Sequence, residues 1–251
     1  LQHYKIKNGL EIHYDGDLPA RSGMGSSSVF VVGLMNLINS FKGRKISKRN
    51  LAHKSIFFEQ KILDEVVGSQ DQIAATYGGF NKINFYCNNT FKLTKFSIKN
   101  NKIKKLNQNL LLLYTGQKRT AHHVAKSYVN NLSKSKKPHI ERILSFVKEG
   151  EKIIKNGDIN DFGKLLNEAW LEKKGLSSSV TNNSIDRIYH AAVEKGALGG
   201  KLLGAGGGGF FLFYVPHFKQ KKFIKYFKKF TTIPFRFTTE GSRIMFKSFK
   251  K

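Results

Sequence analysis

The chain has 251 residues, 40% of them apolar and 12% aromatic: enough for a core in one large or two modest domains, and too apolar for intrinsic disorder. Its 44 Lys and Arg against 17 Asp and Glu leave a formal charge of +27, which suits anionic partners such as nucleic acid, acidic lipid or phosphorylated metabolites, although a lysine-rich composition spread along the whole chain gives the same figure. The single cysteine, Cys87, excludes an internal disulfide framework and any Cys-rich zinc site.

HYKIK and LEIHY flank Asn8-Gly9, so residues 2–14 predict a hairpin. A loop rich in Gly and Ser, Asp15 to Ser28, leads into a helix over Val29 to Phe41. The longest apolar run, Val29 to Ile38, is interrupted by Gly33 and Asn36 and is too short to span a bilayer. A second helix is expected from Ser47, as N-cap, to Leu63. Gly68 to Gln72 reads as a polar loop, NKINFY and Phe91 to Ile98 as strands, and Leu110 to Tyr114 as a short apolar strand. Residues 120–174 are mostly helical in pattern, with breaks near Pro138 and Asn156-Gly157, and a further helix covers Ser184 to Lys195. KLLGAGGGGFFLFYV reads as strand, glycine-rich turn and strand; a helix from His217 to Phe230 and a strand from Ile233 to Thr238 close the pattern. Strands and helices mix without regular βαβ alternation, which makes the class α+β. A boundary near residue 105, after the Asn/Lys-rich stretch Lys99 to Lys105, divides the chain into 1–105 and 106–251. No signal peptide is visible, which fits a cytoplasmic protein; the sequence begins at Leu1 rather than Met.

Two glycine-rich loops carry the chemical signal. PARSGMGSSS, Pro19 to Ser28, stands directly ahead of a helix. Small residues let the backbone curl around a ligand, and the free N–H groups of a first helical turn favour an anion. Serine hydroxyls add donors and can ligate Mg²⁺; the same string also fits a loop ending in a serine N-cap. The second loop, GAGGGG at Gly204 to Gly209, matches G-x-G-x-x-G literally. A dinucleotide fingerprint must open a helix, whereas FFLFYV after this loop is a strand. No HRD or DFG follows, and Gly196 to Leu202 has the wrong glycine spacing for a Walker A loop, with Leu202 where Ser or Thr is required. The loop is therefore a phosphate-handling candidate of another type, or a tight turn with no room for side chains. Between the loops lie Glu59 and Asp71, carboxylates suited to Mg²⁺ ligation and alcohol activation, and equally ordinary as solvated acids.

PARSGMGSSS resembles the second motif of the GHMP kinases, P-x-x-x-G-L-G-S-S, with Met24 in place of Leu. KLLGAGGGGFF resembles their C-terminal motif, and EQKILDEVVGSQDQIAATYGGFN the segment with the catalytic aspartate. The likeness covers essentially the whole chain. Within the family it is strongest toward kinases of phosphorylated heptoses, on SQDQIAATYGGFNKINFY, LLYTGQKRTAHHV and GALGGKLLGAGGGGFFLFY. It implies a two-domain fold: an N-terminal part like ribosomal protein S5 domain 2, and a ferredoxin-like C-terminal part. It implies ATP-dependent phosphorylation of the anomeric hydroxyl of D-glycero-D-manno-heptose 7-phosphate, for nucleotide-activated heptose and surface polysaccharide. The partners implied are ATP, Mg²⁺ and a phosphorylated sugar, with no nucleic acid and no membrane; the oligomeric state stays open.

Carried over by motif, Pro19, Gly23, Met24, Gly25, Ser26, Ser27 and Ser28 would bind ATP, with Gly206, Gly207 and Gly208 shaping the site from the C-terminal domain. Ser27 and Glu59 would hold Mg²⁺, and Asp71 would orient or deprotonate the sugar hydroxyl. Arg119, with Lys118, is the candidate for the substrate's own phosphate; an arginine at a helix start on the surface is the plain alternative. The family's first, glycine-rich motif is not among these residues, so the resemblance implies an N-terminally truncated kinase. Such a chain would lack strands of the N-terminal sheet and a wall of its pockets.

Trp170 reads as core and Lys173 as solvated, although both could approach the sugar; His122-His123 has no companion ligands and reads as structural. Two other functions compete: another GHMP sugar kinase, galactokinase- or fucokinase-like, and a truncated non-catalytic binder, for which HFKQKKFIKYFKKF is the motif. Phe223, Phe227 and Phe230 share one helical face, for acidic lipid or a partner protein, or for packing onto a sheet with the lysines in water.

Overall fold

The computed structural model describes residues 2–6, 9–19, 22–118 and 121–248, with backbone alone at residues 2 and 121–123. A left-handed Gly25 starts helix α1, Ser26–Phe41. Val31, Val32, Met35 and Ile38 recur at helical spacing and form its buried face. Gly43, also left-handed, ends it, its N–H donating to the Ser40 carbonyl. Helix α2, Lys48–Phe57, is capped as expected: Ser47 Oγ accepts from the Asn50 N–H at 3.2 Å. It runs on into one π-helical turn, Phe58–Ile62, closed by the Leu63 N–H on the Phe58 carbonyl. Helix α3 follows at Gln70–Tyr77. Val31, Val32, Met35 and Leu51 form the small core that joins these helices.

Strands β1, Asn81–Phe85, and β2, Phe91–Lys95, pair antiparallel with Ile83 opposite Leu93. Helix α4, Asn100–Asn109, leads into β3, Leu110–Tyr114. Three helices come next: α5 Ala121–Val129, α6 Lys137–Lys155 with Pro138 in its first turn, and α7 Asn160–Lys174. A 3₁₀ turn at Ser178–Val180 precedes α8, Asn183–Glu194. Then come β4 Gly199–Leu202, β5 Phe210–Tyr214, α9 His217–Tyr226 and β6 Thr232–Pro234.

The larger sheet has the order β4-β5-β3-β6, every pair antiparallel. The first strand of this half thus lies between the third and the fourth, which is the ferredoxin-like order. β3 is covered on both faces, which explains its unbroken apolar run. Leu111 and Leu113 join Trp170, Phe211, Phe213 and Phe223 in one cluster. Leu110 and Tyr214 point the other way, to Leu106 and Ile159, following the two-residue strand period. The chain end returns to the N-terminal helices: the Ser242 N–H donates to the Ala75 carbonyl at 2.7 Å and the Gly79 N–H to the Thr238 carbonyl at 3.0 Å.

Several expectations need correction. The hairpin over residues 2–14 does not form among the described residues: Gln2–Tyr4 is a 3₁₀ turn, residues 9–14 carry no strand, and Asn8 lies outside the described residues. A lone two-stranded hairpin is marginal in water, and Ile12 and Tyr14 here lie exposed with no sheet face beneath them. The polar stretch Gly68 to Gln72 contains a helix start. Polar Gln72 and Thr76 share the buried side of α3 with Ile73, which hides the helix from a hydropathy reading. The last helix stops at Tyr226, and β6 ends at Pro234, which has no N–H for a further ladder bond. Among the described residues no helix is long and apolar enough to cross a membrane.

Candidate active site

The first glycine-rich loop delivers α1 with an open N-terminus. Gly25 stands at φ 70° as N-cap, and no side chain caps the helix. The first-turn N–H groups of Ser26, Ser27 and Ser28 are therefore left for a ligand, with the positive end of the helix dipole behind them. A side chain at position 25 would be strained by the positive φ, and its Cβ would fall 3.0 Å from Asp71 Oδ2, close enough that the carboxylate would have to shift. That closeness sets the Asp71 carboxylate at the mouth of the loop.

Asp71 occupies the first turn of α3. Burial is the main cause that pushes its carboxyl above the ordinary aspartate value; the charge of Glu59 adds to the rise, and a hydrogen bond from Gln70 opposes it. Glu59 sits in the π-helical turn and is 0% exposed. Ser27 Oγ donates to its Oε1 at 3.0 Å, and Gln72 Nε2 donates to its Oε2 at 2.5 Å. Ser27, Glu59, Gln72 and Asp71 thus link α1, the π turn and α3 in one polar group.

Ser27, Glu59 and Asp71 line a cleft of about 760 Å³, and Gln72 is buried. Ser22, Gly23, Gly25 and Ser26 to Ser28 form one side, with Glu59, residues 65–70 and Asp71 beside them; Phe85 of β1, Ala125 and Tyr128 of α5, and Gly204 and Ala205 of the second loop complete it. Mg²⁺ typically takes one or two protein oxygens, with phosphate oxygens and water for the rest. The buried Glu59 carboxylate and the Ser27 hydroxyl fit that demand, and among the described residues no cationic side chain pairs with Glu59. No group of three or more His, Cys, Asp or Glu placed to hold a metal ion occurs among the described residues.

The structure brings together Gly23, Gly25, Ser26, Ser27, Ser28, Glu59 and Asp71. Pro19 and Met24 do not line the cleft, and Pro19 is exposed. Gly206, Gly207 and Gly208 do not line it either. A Cβ on Gly206 would fall 2.8 Å from Val180 Cα, and one on Gly208 would fall 2.8 Å from the Gln117 carbonyl oxygen. The Gly207 N–H donates to the Val180 carbonyl. Gly206 and Gly208 serve close packing, while Gly204 and Ala205 belong to the cleft wall. Lys118 is exposed and does not line the cleft; Arg119 lies outside the described residues, as do the side chains of His122 and His123.

Trp170 is core, as expected, but Lys173 is a correction: it is 6% exposed and bonded to backbone carbonyls. It stands three residues after Trp170 on the same buried face of α7, and a cation at an apolar-face spacing was the available signal. Gln72, which sequence reasoning passed over, adjoins Asp71 in GSQDQ and was findable as a polar residue on the helix side that carries Ile73. Phe223 and Phe227 are buried in the main cluster, with Phe230 packed against it, so the apolar face of α9 is spent on the sheet.

Comparison with known proteins fits this geometry. Residues 1–79 match the GHMP kinases N terminal domain, and residues 151–230 match GHMP kinases C terminal. D-glycero-alpha-D-manno-heptose 7-phosphate kinase of Campylobacter jejuni is 32% identical over 92% of this chain and 69% of its own length. The chain belongs to the GHMP kinase family. The bifunctional fucokinase/GDP-fucose pyrophosphorylase of Arabidopsis thaliana is 28% identical over 84% of this chain, which spans 20% of that larger protein. The crystal structure of Methanococcus jannaschii mevalonate kinase superposes with a TM-score of 0.70 at 25% identity, over 89% of this chain and 67% of that one. This GHMP kinase chain therefore spans about two thirds of its single-function relatives.

Proposed function

We propose that this chain belongs to an ATP-dependent sugar kinase that phosphorylates the anomeric hydroxyl of D-glycero-D-manno-heptose 7-phosphate to the 1,7-bisphosphate. One observation carries the reading: the uncapped N-terminus of α1 opens into the same cleft as Glu59 and Asp71. The N–H groups of Ser26 to Ser28 hold the ATP phosphates. Ser27 and Glu59 hold Mg²⁺, which when bound neutralises charge on the transferring phosphoryl group. Asp71 orients the sugar hydroxyl and accepts its proton as the oxygen bonds to the γ-phosphorus and the bond to ADP breaks. Its raised pKa makes it a better proton acceptor than an ordinary aspartate. Arg119 and Lys118 bind the phosphate already on the sugar. The domains divide near residue 105, between the two matched segments; Leu106, immediately after it, packs into the C-terminal half. The reading places the enzyme in the cytoplasm, where ATP and sugar phosphates are found.

The heptose assignment is supported by the 32% identity to the Campylobacter relative. The 28% identity to the Arabidopsis fucokinase supports a second reading, a kinase of unphosphorylated sugars. Incubation of the full-length protein with ATP, Mg²⁺ and each sugar, followed by ³¹P NMR, separates them. The expected result is ADP and a new anomeric phosphate with heptose 7-phosphate. Turnover with L-fucose or D-galactose alone would favour the second reading, and no ADP with any sugar would overturn both.

A further inference from the structure

We propose that Lys173 is a positioning residue that turns the Gly204–Ala205 peptide so that the Ala205 N–H faces the cleft as a donor to nucleotide phosphate. The inference rests on the kinase reading above and assigns a second phosphate contact within it. Lys173 Nζ donates to the Leu202 carbonyl at 2.7 Å and to the Gly204 carbonyl at 2.6 Å. No peptide bond described is cis, and in a trans peptide the C=O and the following N–H point in opposite directions. The Leu202 carbonyl faces Lys173, and the next N–H, that of Leu203, points the other way and donates to the Phe210 carbonyl at 2.9 Å. By the same geometry the Gly204 carbonyl faces Lys173 and the Ala205 N–H points away from it. Gly204 and Ala205 both line the cleft, and no backbone acceptor is recorded for the Ala205 N–H among the described residues.

The placement of the tether also matters. The β4–β5 ladder ends at Leu202 opposite Phe211, with one further bond from Leu203 to Phe210. The return leg of the loop is held by Gly207 on Val180 and by Gly209 on Gln117, and Thr115 Oγ1 donates to the Gly209 carbonyl at 2.8 Å. Lys173 holds the outgoing leg, the one that lines the cleft. Burying an ammonium group is costly, and the long side chain also loses its rotamer freedom. Two carbonyl acceptors offset part of that cost.

The test is ATP titration of the ¹⁵N-labelled full chain, with Mg²⁺, in wild type and in Lys173→Met. In wild type the amide signals of Ser26 to Ser28 and of Ala205 should all move. In Lys173→Met the serine signals should still move, the Ala205 response should be lost, and the ATP dissociation constant should rise about tenfold, as expected for one charge-supported hydrogen bond. An Ala205 response retained in the variant overturns the inference. So does a wild type in which only the serines respond, and that spectrum decides the matter even when the variant does not fold. A wild type in which neither set responds overturns the kinase reading, and the inference with it.

Discussion

The backbone N–H of Phe210 donates to the carbonyl oxygen of Ser22 at 3.1 Å. Phe210 opens β5 at the end of the second glycine-rich loop, and Ser22 lies within the first loop. This bond ties the two motifs together across about three quarters of the chain. The loop at the head of α1 is therefore braced from the C-terminal half, and disturbance of one loop is transmitted to the other.

Gly209 makes the junction possible. It holds φ at 94°, and a Cβ there would overlap the Ser22 carbonyl oxygen. Gly209→Ala should cost about 1–3 kcal/mol through backbone strain, with steric overlap in addition. For a chain of this size each kcal/mol lowers the melting temperature by about 2–4 °C. ATP affinity should fall together with stability, because the overlap falls on the phosphate loop. Thermal melts with and without ATP check both; an unchanged melting temperature would show that the loops are not locked together.

Asp71 predicts a trade of stability for activity. Its folded pKa lies above the unfolded value, so between the two values the folded state binds more protons. Stability contributed by this group is therefore lost as pH rises through that interval, and the penalty is complete above it. Asp71→Asn removes the penalty. The variant should melt no lower than wild type at about pH 7, and any gap should close as pH falls toward about 4. Phosphoryl transfer should drop by about 10²–10⁴-fold while ATP binding stays nearly unchanged. Calorimetry across pH, beside a kinase assay, measures both; full activity in the variant would remove Asp71 from the mechanism.

What the sequence showed and what it hid follow one rule. The unbroken apolar strand Leu110–Tyr114 and the glycine strings are strong local signals: the strand has the limits read from the sequence, and Gly23, Gly25 and Ser26 to Ser28 of the first string line the cleft. Helix α3 was hidden because its buried side carries Gln72 and Thr76, polar residues whose placement depends on Glu59 and the surrounding chain. Lys173 was hidden for the same reason: its acceptors lie 29 and 31 residues away, a pairing that only the fold creates. Gly206 to Gly208 carry a motif signal, yet Val180 and Gln117, not the cleft, explain why Gly206 and Gly208 lack room for a side chain.

Glu59 is the residue on which metal dependence should turn. Its buried carboxylate accepts from Ser27 and Gln72, and a neutral amide of the same shape keeps the volume but loses the charge. Glu59→Gln should need at least about tenfold more Mg²⁺ for half-maximal phosphoryl transfer, by analogy with lost metal-site groups. ATP binding without Mg²⁺ should not weaken, since removing a negative charge beside the phosphate loop favours an anion. A magnesium titration of the kinase rate, paired with metal-free ATP binding, checks the pair; an unshifted Mg²⁺ requirement would move the metal away from Glu59.

Helix α9 separates packing from docking. Phe223 is 0% exposed against Phe213 and Phe227, whereas Phe218, on the same helix, is 81% exposed. Phe223→Ala should therefore cost about 3–5 kcal/mol, through lost transfer energy and the cavity left behind. That is a large share of the roughly 5–15 kcal/mol that holds a typical domain folded. Phe218→Ala should stay within about 0.5 kcal/mol, as surface substitutions do. Both changes leave the lysines in place, so denaturant unfolding isolates the apolar term. A helix that used this phenylalanine face for lipid or a partner would show little loss at Phe223, and its burial against β5 argues for the opposite outcome.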